Sequence, residues 1–462
     1  MKTYLLQLLH KGLPAAGLCS PGGLGSSVRP TVLMPHVSAS MIRPDYWCNK
    51  MSDPDKVVMT PPEIRDFNKE IIDSLSERLY DLSNHPVSLS GNRLIDLMEK
   101  PFPAGPIYVM GKQVGYEFYG MLKNRMNLSG IKDDNRVEYA FTVRRTNIRA
   151  FPTSEVAGGE PCDPEDDYFQ ETALQPAEPA VILHRSADDQ WYYAQTYNYR
   201  GWVSANDVAV DTDRGAWLDY RQVNEFLMVT GSNVRLNNNP YSPELSELEF
   251  GMGSRIPLAD PAEVPSLIDG QSPCGNYAIK LPVRDQGGRL NFKTALLPVC
   301  NDVTEGYLPY TRSNIIRQAF KMQGERYGWG GMLNGRDCSS LVMDLYRVFG
   351  FNLPRNAREQ EVTAGRTFRF EENPVDRQAL LRKLRPGAAL YFPGHVMLYL
   401  GEDTGRFYVI SALGSYVRFR EGEPEPEVVR VRGVVINDLT ITRKNGKQWI
   451  EQLTTGKEFE KG

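Results

Sequence analysis

The sequence predicts an α+β, multidomain chain: a helical N-terminal segment, two small β-barrels, and a C-terminal domain in which a helix that begins at a cysteine packs on strands. Three observations carry this. At 462 residues the chain is too long for one ordinary domain, and about 150 residues per domain gives roughly three. The apolar pattern changes from helical spacing to short alternating strands near Val137, and returns to a helix followed by strands after Gly306. Finally, a glycine-rich stretch, Tyr327-Gly328-Trp329-Gly330-Gly331, leads into Asp337-Cys338-Ser339-Ser340-Leu341 and a helix-periodic segment closed by Gly350.

Composition narrows the function classes. A net charge of -4 gives no reason to expect nucleic acid or an anionic membrane as the main partner. No apolar run reaches the ~18 residues of a spanning helix, so no integral membrane segment is expected. Glycine at 40, proline at 32 and tyrosine at 23 suit a loop-rich, strand-rich protein. The six cysteines, Cys19, Cys48, Cys162, Cys274, Cys300 and Cys338, lack the close spacing of a zinc site. No metal or cofactor is expected, and the chain reads as a monomer. All but Cys338 read as unreactive thiols, with a Cys274–Cys300 disulfide as the alternative in an oxidising compartment.

In chain order, residues 1–44 read as a leader or a disordered segment. Leu5, Leu6, Leu8 and Leu9 follow a lysine as in an export signal, His10 and Lys11 interrupt them, and Ala15-Ala16-Gly17-Leu18-Cys19 has the outline of a lipoprotein site. Residues 45–136 read as helical. Thr60-Pro61-Pro62-Glu63 forms a capping signature, followed by Ile64, Phe67, Ile71, Leu75 and Leu79 on one face. Residues 137–212 read as a first barrel of short strands at roughly ten-residue spacing, with an acidic loop over 154–170. Residues 213–306 repeat the scheme, Asn233-Val234-Arg235 echoing Asn147-Ile148-Arg149. Residues 307–440 form the domain with Cys338, and the polar residues 441–462 read as a fraying tail.

Cys338 falls at a helix start, where unpaired backbone N–H groups favour a thiolate. Of the five histidines, only His395 lies downstream of it, opening the strand-like run His395-Val396-Met397-Leu398-Tyr399-Leu400. A strand histidine against a helix-start cysteine is the arrangement of papain-like enzymes, with Cys338 as nucleophile and His395 as general base. The Cys338 backbone N–H is a candidate oxyanion donor.

These pieces, with Leu353-Pro354-Arg355, Gln360, Leu384-Arg385-Pro386-Gly387 and Gly394-His395-Val396-Met397-Leu398-Tyr399-Leu400-Gly401, resemble the NlpC-type peptidoglycan cysteine peptidases. The upstream barrels resemble the bacterial SH3-like domains of multidomain members. The resemblance implies a papain-like catalytic domain behind two SH3-like barrels. It also implies hydrolysis of peptidoglycan stem peptides at the bond between D-γ-glutamyl and a diamino acid, and work in the cell envelope, with the cytoplasm as the alternative. The family's third catalytic position, a polar residue and often histidine, corresponds to Ser411; either its hydroxyl orients His395, or water or a backbone carbonyl does. Members that take stem peptides with a free N-terminal L-alanine hold its ammonium at the positions of Asp337 and Ser339, with a barrel tyrosine corresponding to Tyr199. The rival expectations are a wall-binding protein with a degenerate catalytic domain, and a papain-like acyltransferase or amidase.

Overall fold

The structure is a computed structural model that describes residues 32–159, 163, 165–371, 373–420 and 425–461. Contacts divide the chain at Leu33, and of the first unit only Val32 and Leu33 are described, without regular structure. The leader reading for residues 1–31, Cys19 included, lies outside the described residues. Residues 34–44 are not a disordered leader: Met41 is buried and accepts the Trp47 indole N–H through its carbonyl at 2.8 Å. Trp47 is itself buried against Tyr408, so this segment packs under the C-terminal sheet.

The expected helical segment is a mixture. Helices Pro44–Cys48, Pro61–Ser74, Gly91–Met98 and Tyr116–Arg125 alternate with three-residue strands. Val57–Met59 pairs with Tyr310–Thr311, Ser88–Ser90 with Asp134–Arg136, and Ile107–Val109 with Lys112–Val114 and Ala157–Gly158. Strands this short show no period of two in a sequence. The capping box does form: Thr60 N donates to Glu63 Oε2 at 2.7 Å, and the helix buries Ile64, Phe67 and Ile71.

Between 138 and 211 lies an antiparallel seven-stranded sheet whose strands close over Phe141, Phe151, Val181, Leu183 and Trp202. Residues 226–305 form a second all-strand unit on its own core of Leu227, Val229, Phe250, Ile256, Leu281 and Leu297. The two units differ from the C-terminal one, where helix Cys338–Arg347 buries Leu341, Val342 and Leu345 against a six-stranded antiparallel sheet.

That sheet runs Arg366–Arg369, Thr455–Glu458, Ala389–Phe392, His395–Asp403, Arg406–Arg418, Glu427–Asp438. The polar C-terminal residues therefore do not fray. Thr455–Glu458 is an internal strand, paired on both sides, with Trp449, Leu453 and Phe459 as buried anchors. Its side chains are polar because backbone pairing, not an apolar face, holds it. Lys457 Nζ donates to the Thr363 carbonyl at 2.6 Å, and the Glu458 carboxylate accepts from Arg385 N at 2.8 Å.

Candidate active site

Asp337 caps the helix that begins at Cys338. Its Oδ1 accepts from Ser340 N at 2.9 Å, and Ser340 Oγ accepts from Asp337 N in return. The preceding loop is bent by Gly330 and Gly331, both in left-handed backbone conformation at φ 55° and 81°. A Cβ at either would lie 2.8 Å from Gln170 or 2.7 Å from Ala173, so only glycine lets the loop press on barrel strand Gln170–Leu174. Gln170 Nε2 donates to the Gly330 carbonyl at 2.8 Å, and Arg145 to the Gly331 carbonyl at 2.6 Å. The acidic loop is tied down as well: Asp163 and Glu165 pair with Arg432, and Glu165 also with Arg326.

Asp337 and Ser339 are expected to face a substrate ammonium, but both are committed within the protein. Arg355, itself buried, grips the Asp337 carboxylate at 2.6 and 3.1 Å and donates to Ser339 Oγ at 2.9 Å. Gly330 N donates to the same carboxylate at 3.0 Å, and Ser339 Oγ at 3.2 Å. Burial alone would raise the Asp337 pKa, yet Arg355 and the cap hold it below the ordinary carboxylate value. Arg355 also donates to Thr172 Oγ1 at 2.6 Å, which locks the helix start to the barrel. Sequence reasoning noted Arg355 only as part of a motif. A lone arginine after a proline carries no local sign of its partner.

Tyr199 lines, with Cys338, Asp337, Ser339 and Arg355, a cleft of about 650 Å³. Its hydroxyl donates to the carboxylate of Glu171, a second barrel residue in the same cleft that sequence reasoning missed. Burial and then Glu171 push the Tyr199 pKa well up, so the phenol stays a donor. Glu171 also pairs with Lys100. Glu171 lies in an alternating strand with no distinguishing neighbour, which is why no spacing reveals it.

Cys338 meets the turn that carries His395. The Val396 backbone N–H points at its sulfur, and Gly394 lines the same cleft. Both side chains keep a partly exposed edge. The helix start does not produce a thiolate. Burial, and then the Asp337 charge, push the Cys338 thiol up to about 12, outweighing the N–H groups of Val396 and Ser339. Burial, and then Arg443, push His395 down to about 3. The resting pair is thus thiol and neutral imidazole. No hydrogen bond joins them, a looseness common before substrate fills a site.

The imidazole is held by rings. Phe392 lies 5.2 Å away at 29°, and Trp449 lies 5.0 Å away at 60°. Ser411 is fully buried, but it makes no hydrogen bond to His395: its Oγ and His395 Nε2 both lack a partner. Extending the Leu398–Ile410 register places Ser411 opposite Met397 and diagonal to His395. A diagonal of roughly 7–8 Å suits long side chains, and a serine is too short for it.

Cys274 and Cys300 are free and exposed, not joined, and Cys162 lies outside the described residues. Among the described residues, no three or more His, Cys, Asp or Glu side chains gather as a metal site requires, and no helix is long and apolar enough to cross a membrane.

Comparison with known proteins bears on this site. The NlpC/P60 family matches residues 324–418, and the SH3 domain of SH3b1 type matches residues 163–204. Dipeptidyl-peptidase 6 of Lysinibacillus sphaericus is 36% identical over 104 residues, which is 22% of this chain and 33% of that protein. The chain thus matches only a third of that relative's length. The structure of an NlpC/P60 endopeptidase from Photobacterium damselae subsp. piscicida superposes with a TM-score of 0.69 at 18% identity, over 88% of this chain and 95% of that one. An NlpC/P60 family protein from Bacillus cereus aligns over 70% of this chain and 99% of its own, at 18% identity and a TM-score of 0.45. The Cys338 helix and the His395 strand both fall inside the first match, and the chain carries an NlpC/P60-family domain behind a domain of the SH3b1 type.

Proposed function

We propose that this protein is a cysteine endopeptidase of peptidoglycan stem peptides, cutting between D-γ-glutamate and the diamino acid in peptides with a free N-terminal L-alanine. The observation that carries the proposal is the wall of the cleft. Barrel residues Tyr199 and Glu171 line the same space as Cys338, and in this reading they bound the acyl side of the scissile bond. An ammonium needs a carboxylate and further acceptors. With Asp337 committed to Arg355, Glu171 supplies the charge and Tyr199 fixes its orientation. Lys100, which pairs with Glu171 now, has a half-exposed side chain. Such pairs are worth little, about 0–1 kcal/mol, so a substrate ammonium can replace it.

In the reaction, the neutral His395 takes the Cys338 proton as sulfur attacks the γ-carbonyl carbon. The Cys338 backbone N–H faces the developing oxyanion. His395 then gives the proton to the leaving α-amine, and water, activated by the same imidazole, cleaves the thioester. The name of the Lysinibacillus relative, a dipeptidyl-peptidase, fits release of a two-residue fragment from a free N-terminus.

The test compares kcat/KM on a stem tripeptide with free and N-acetylated termini. Acetylation removes the charge that the part-buried Glu171 carboxylate would accept, at about 1–3 kcal/mol, or about five- to 150-fold. Equal rates would refute the specificity. Glu171→Gln and Tyr199→Ala should each shrink the discrimination. A degenerate, wall-binding protein is the second reading, favoured by the unpartnered His395 Nε2. Binding to intact peptidoglycan with no cleavage of any stem peptide, followed by mass spectrometry, would support it.

A further inference from the structure

Helix Arg214–Gln222 joins the two barrels in sequence, and its last turn borders a cavity of about 240 Å³. Three parts of the chain meet there: Phe141 of the first barrel, Ser254 and Arg255 of the second unit, and Tyr307 and Phe351 of the C-terminal domain. The volume is many times the ~15 Å³ that one water needs, and below the ~300–1,000 Å³ of pockets for drug-sized molecules. It suits a small ligand.

Two guanidiniums on its wall lie against aromatic rings. Arg221 lies 4.3 Å from the Trp217 ring centroid and donates to Ser83 Oγ at 3.1 Å. Arg255 lies 4.1 Å from the Phe226 ring centroid and donates to the carbonyls of Arg221, at 3.2 Å, and Val223. Those carbonyls end the helix and carry only a fraction of a negative charge. Among the described residues, no carboxylate forms an ion pair with either guanidinium. The charges that reach Arg255 are those of the Tyr307 and Tyr220 phenols. Asp81 reaches Arg221, but its carboxylate is committed to Ser83 N and Asn84 Nδ2, at 2.9 and 2.7 Å. Burial holds both arginines below their ordinary pKa, and the Arg255 charge adds to this at Arg221. Arg347, the third cation on the wall, is paired at 2.9 Å with Glu178, which lines the cavity too. Three arginines against one carboxylate leave the wall at a net +2.

Ser254 adds an independent sign. It lines the same cavity, is only 6% exposed, and its Oγ has no hydrogen-bond partner among the described residues. A buried hydroxyl left without a partner costs stability, and an acceptor in the cavity would satisfy it.

We propose that this junction is a phosphate-binding site, in which Arg221 and Arg255 meet the phosphate and Ser254 donates its hydroxyl to one of its oxygens. A phosphate group carries about −1.5 to −2 charges at pH 7 and offers several strong acceptor oxygens, matching the net charge of the wall and its donors. A carboxylate brings a single charge and leaves half of the wall uncompensated. The ligand is inorganic phosphate or the phosphate end of a small ester. Because three parts of the chain line the site, the bound phosphate fastens them together and stabilises the folded chain.

Calorimetric titration of the full chain tests this, with inorganic phosphate, glycerol 3-phosphate and acetate as titrants at matched ionic strength. Saturable binding of a phosphate is expected, with acetate about tenfold weaker or more. The tighter of the two phosphates identifies the source. Arg221→Gln and Arg255→Gln should each weaken phosphate binding about tenfold or more, the loss of one charge-assisted contact. Ser254→Ala should weaken it about two- to tenfold. No saturable binding of either phosphate, equal affinity for acetate, or wild-type affinity in the variants overturns the proposal. Should an arginine variant fail to fold, Ser254→Ala decides: an affinity equal to that of the wild type overturns it.

Discussion

The two walls that meet at Cys338 are built on opposite principles. The barrel wall is a closed polar network. Arg355, Asp337, Ser339 and Thr172 satisfy one another, and Gly330 fills the remaining acceptor. The strand wall is aromatic, and it leaves His395 Nε2 and Ser411 Oγ without partners. A buried ionic network fixes geometry but is costly to break. A ring-lined histidine is less constrained, and desolvation holds it neutral. In the proposed reaction, one wall positions the nucleophile and the other lets a proton move.

The largest expected effect falls where the walls touch. Cys338→Ala or His395→Ala should each abolish nearly all hydrolysis, on the order of 10³-fold or more, and the double variant should lose no more, because the pair acts as a unit. A folded Cys338→Ala protein that keeps a tenth of wild-type turnover would remove the nucleophile from the scheme.

Next comes the polar wall. Arg355→Met leaves the Asp337 carboxylate buried and unpaired, which should cost about 3–5 kcal/mol of stability. Adding Asp337→Asn should restore much of the loss, because the stranded charge is gone. Urea titration of the three proteins measures both. An additive double variant would show that the network is not coupled.

The aromatic wall predicts an acid-side slope. His395 sits at about 3 in the folded protein, below its ordinary 6.5. Above pH 6.5, neither the folded nor the unfolded chain protonates it. As pH falls below 6.5, the unfolded chain takes up a proton that the folded one refuses, so stability declines down to about pH 3. Asp337, depressed by Arg355, adds its own loss at lower pH. Urea midpoints between pH 7 and 4 should fall more steeply for wild type than for His395→Gln. Parallel curves would mean the imidazole is not held neutral.

The smallest effect is at Ser411. Its hydroxyl makes no hydrogen bond to lose, so Ser411→Ala should change kcat/KM by less than about threefold, under 1 kcal/mol. A tenfold loss would show that the serine engages His395 once substrate is bound.

What was legible in the sequence follows the same division. The capping box at Thr60, the helix opening at Cys338 and the strand opening at His395 rest on local patterns, and the structure has all three elements. The partners of Asp337 were not legible, because Arg355 and Thr172 come from segments whose approach depends on tertiary packing. The three-residue strands before Asp134 were hidden by their length. The charge of Cys338 was misjudged because a helix start predicts the local field but not the burial that outweighs it.

The strand Thr455–Glu458 has a consequence for the order of synthesis. It lies between Arg366–Arg369 and Ala389–Phe392, so the sheet behind Cys338 has a gap until those residues leave the ribosome. Until then, the edge of Ala389–Phe392, which ends at the ring supporting His395, stays open to pairing with other chains. The aromatic wall around His395 is complete only once Trp449 and the strand that follows it have emerged. Premature release before Trp449 would yield a chain that lacks one of the two rings around His395 as well as the strand that closes the sheet.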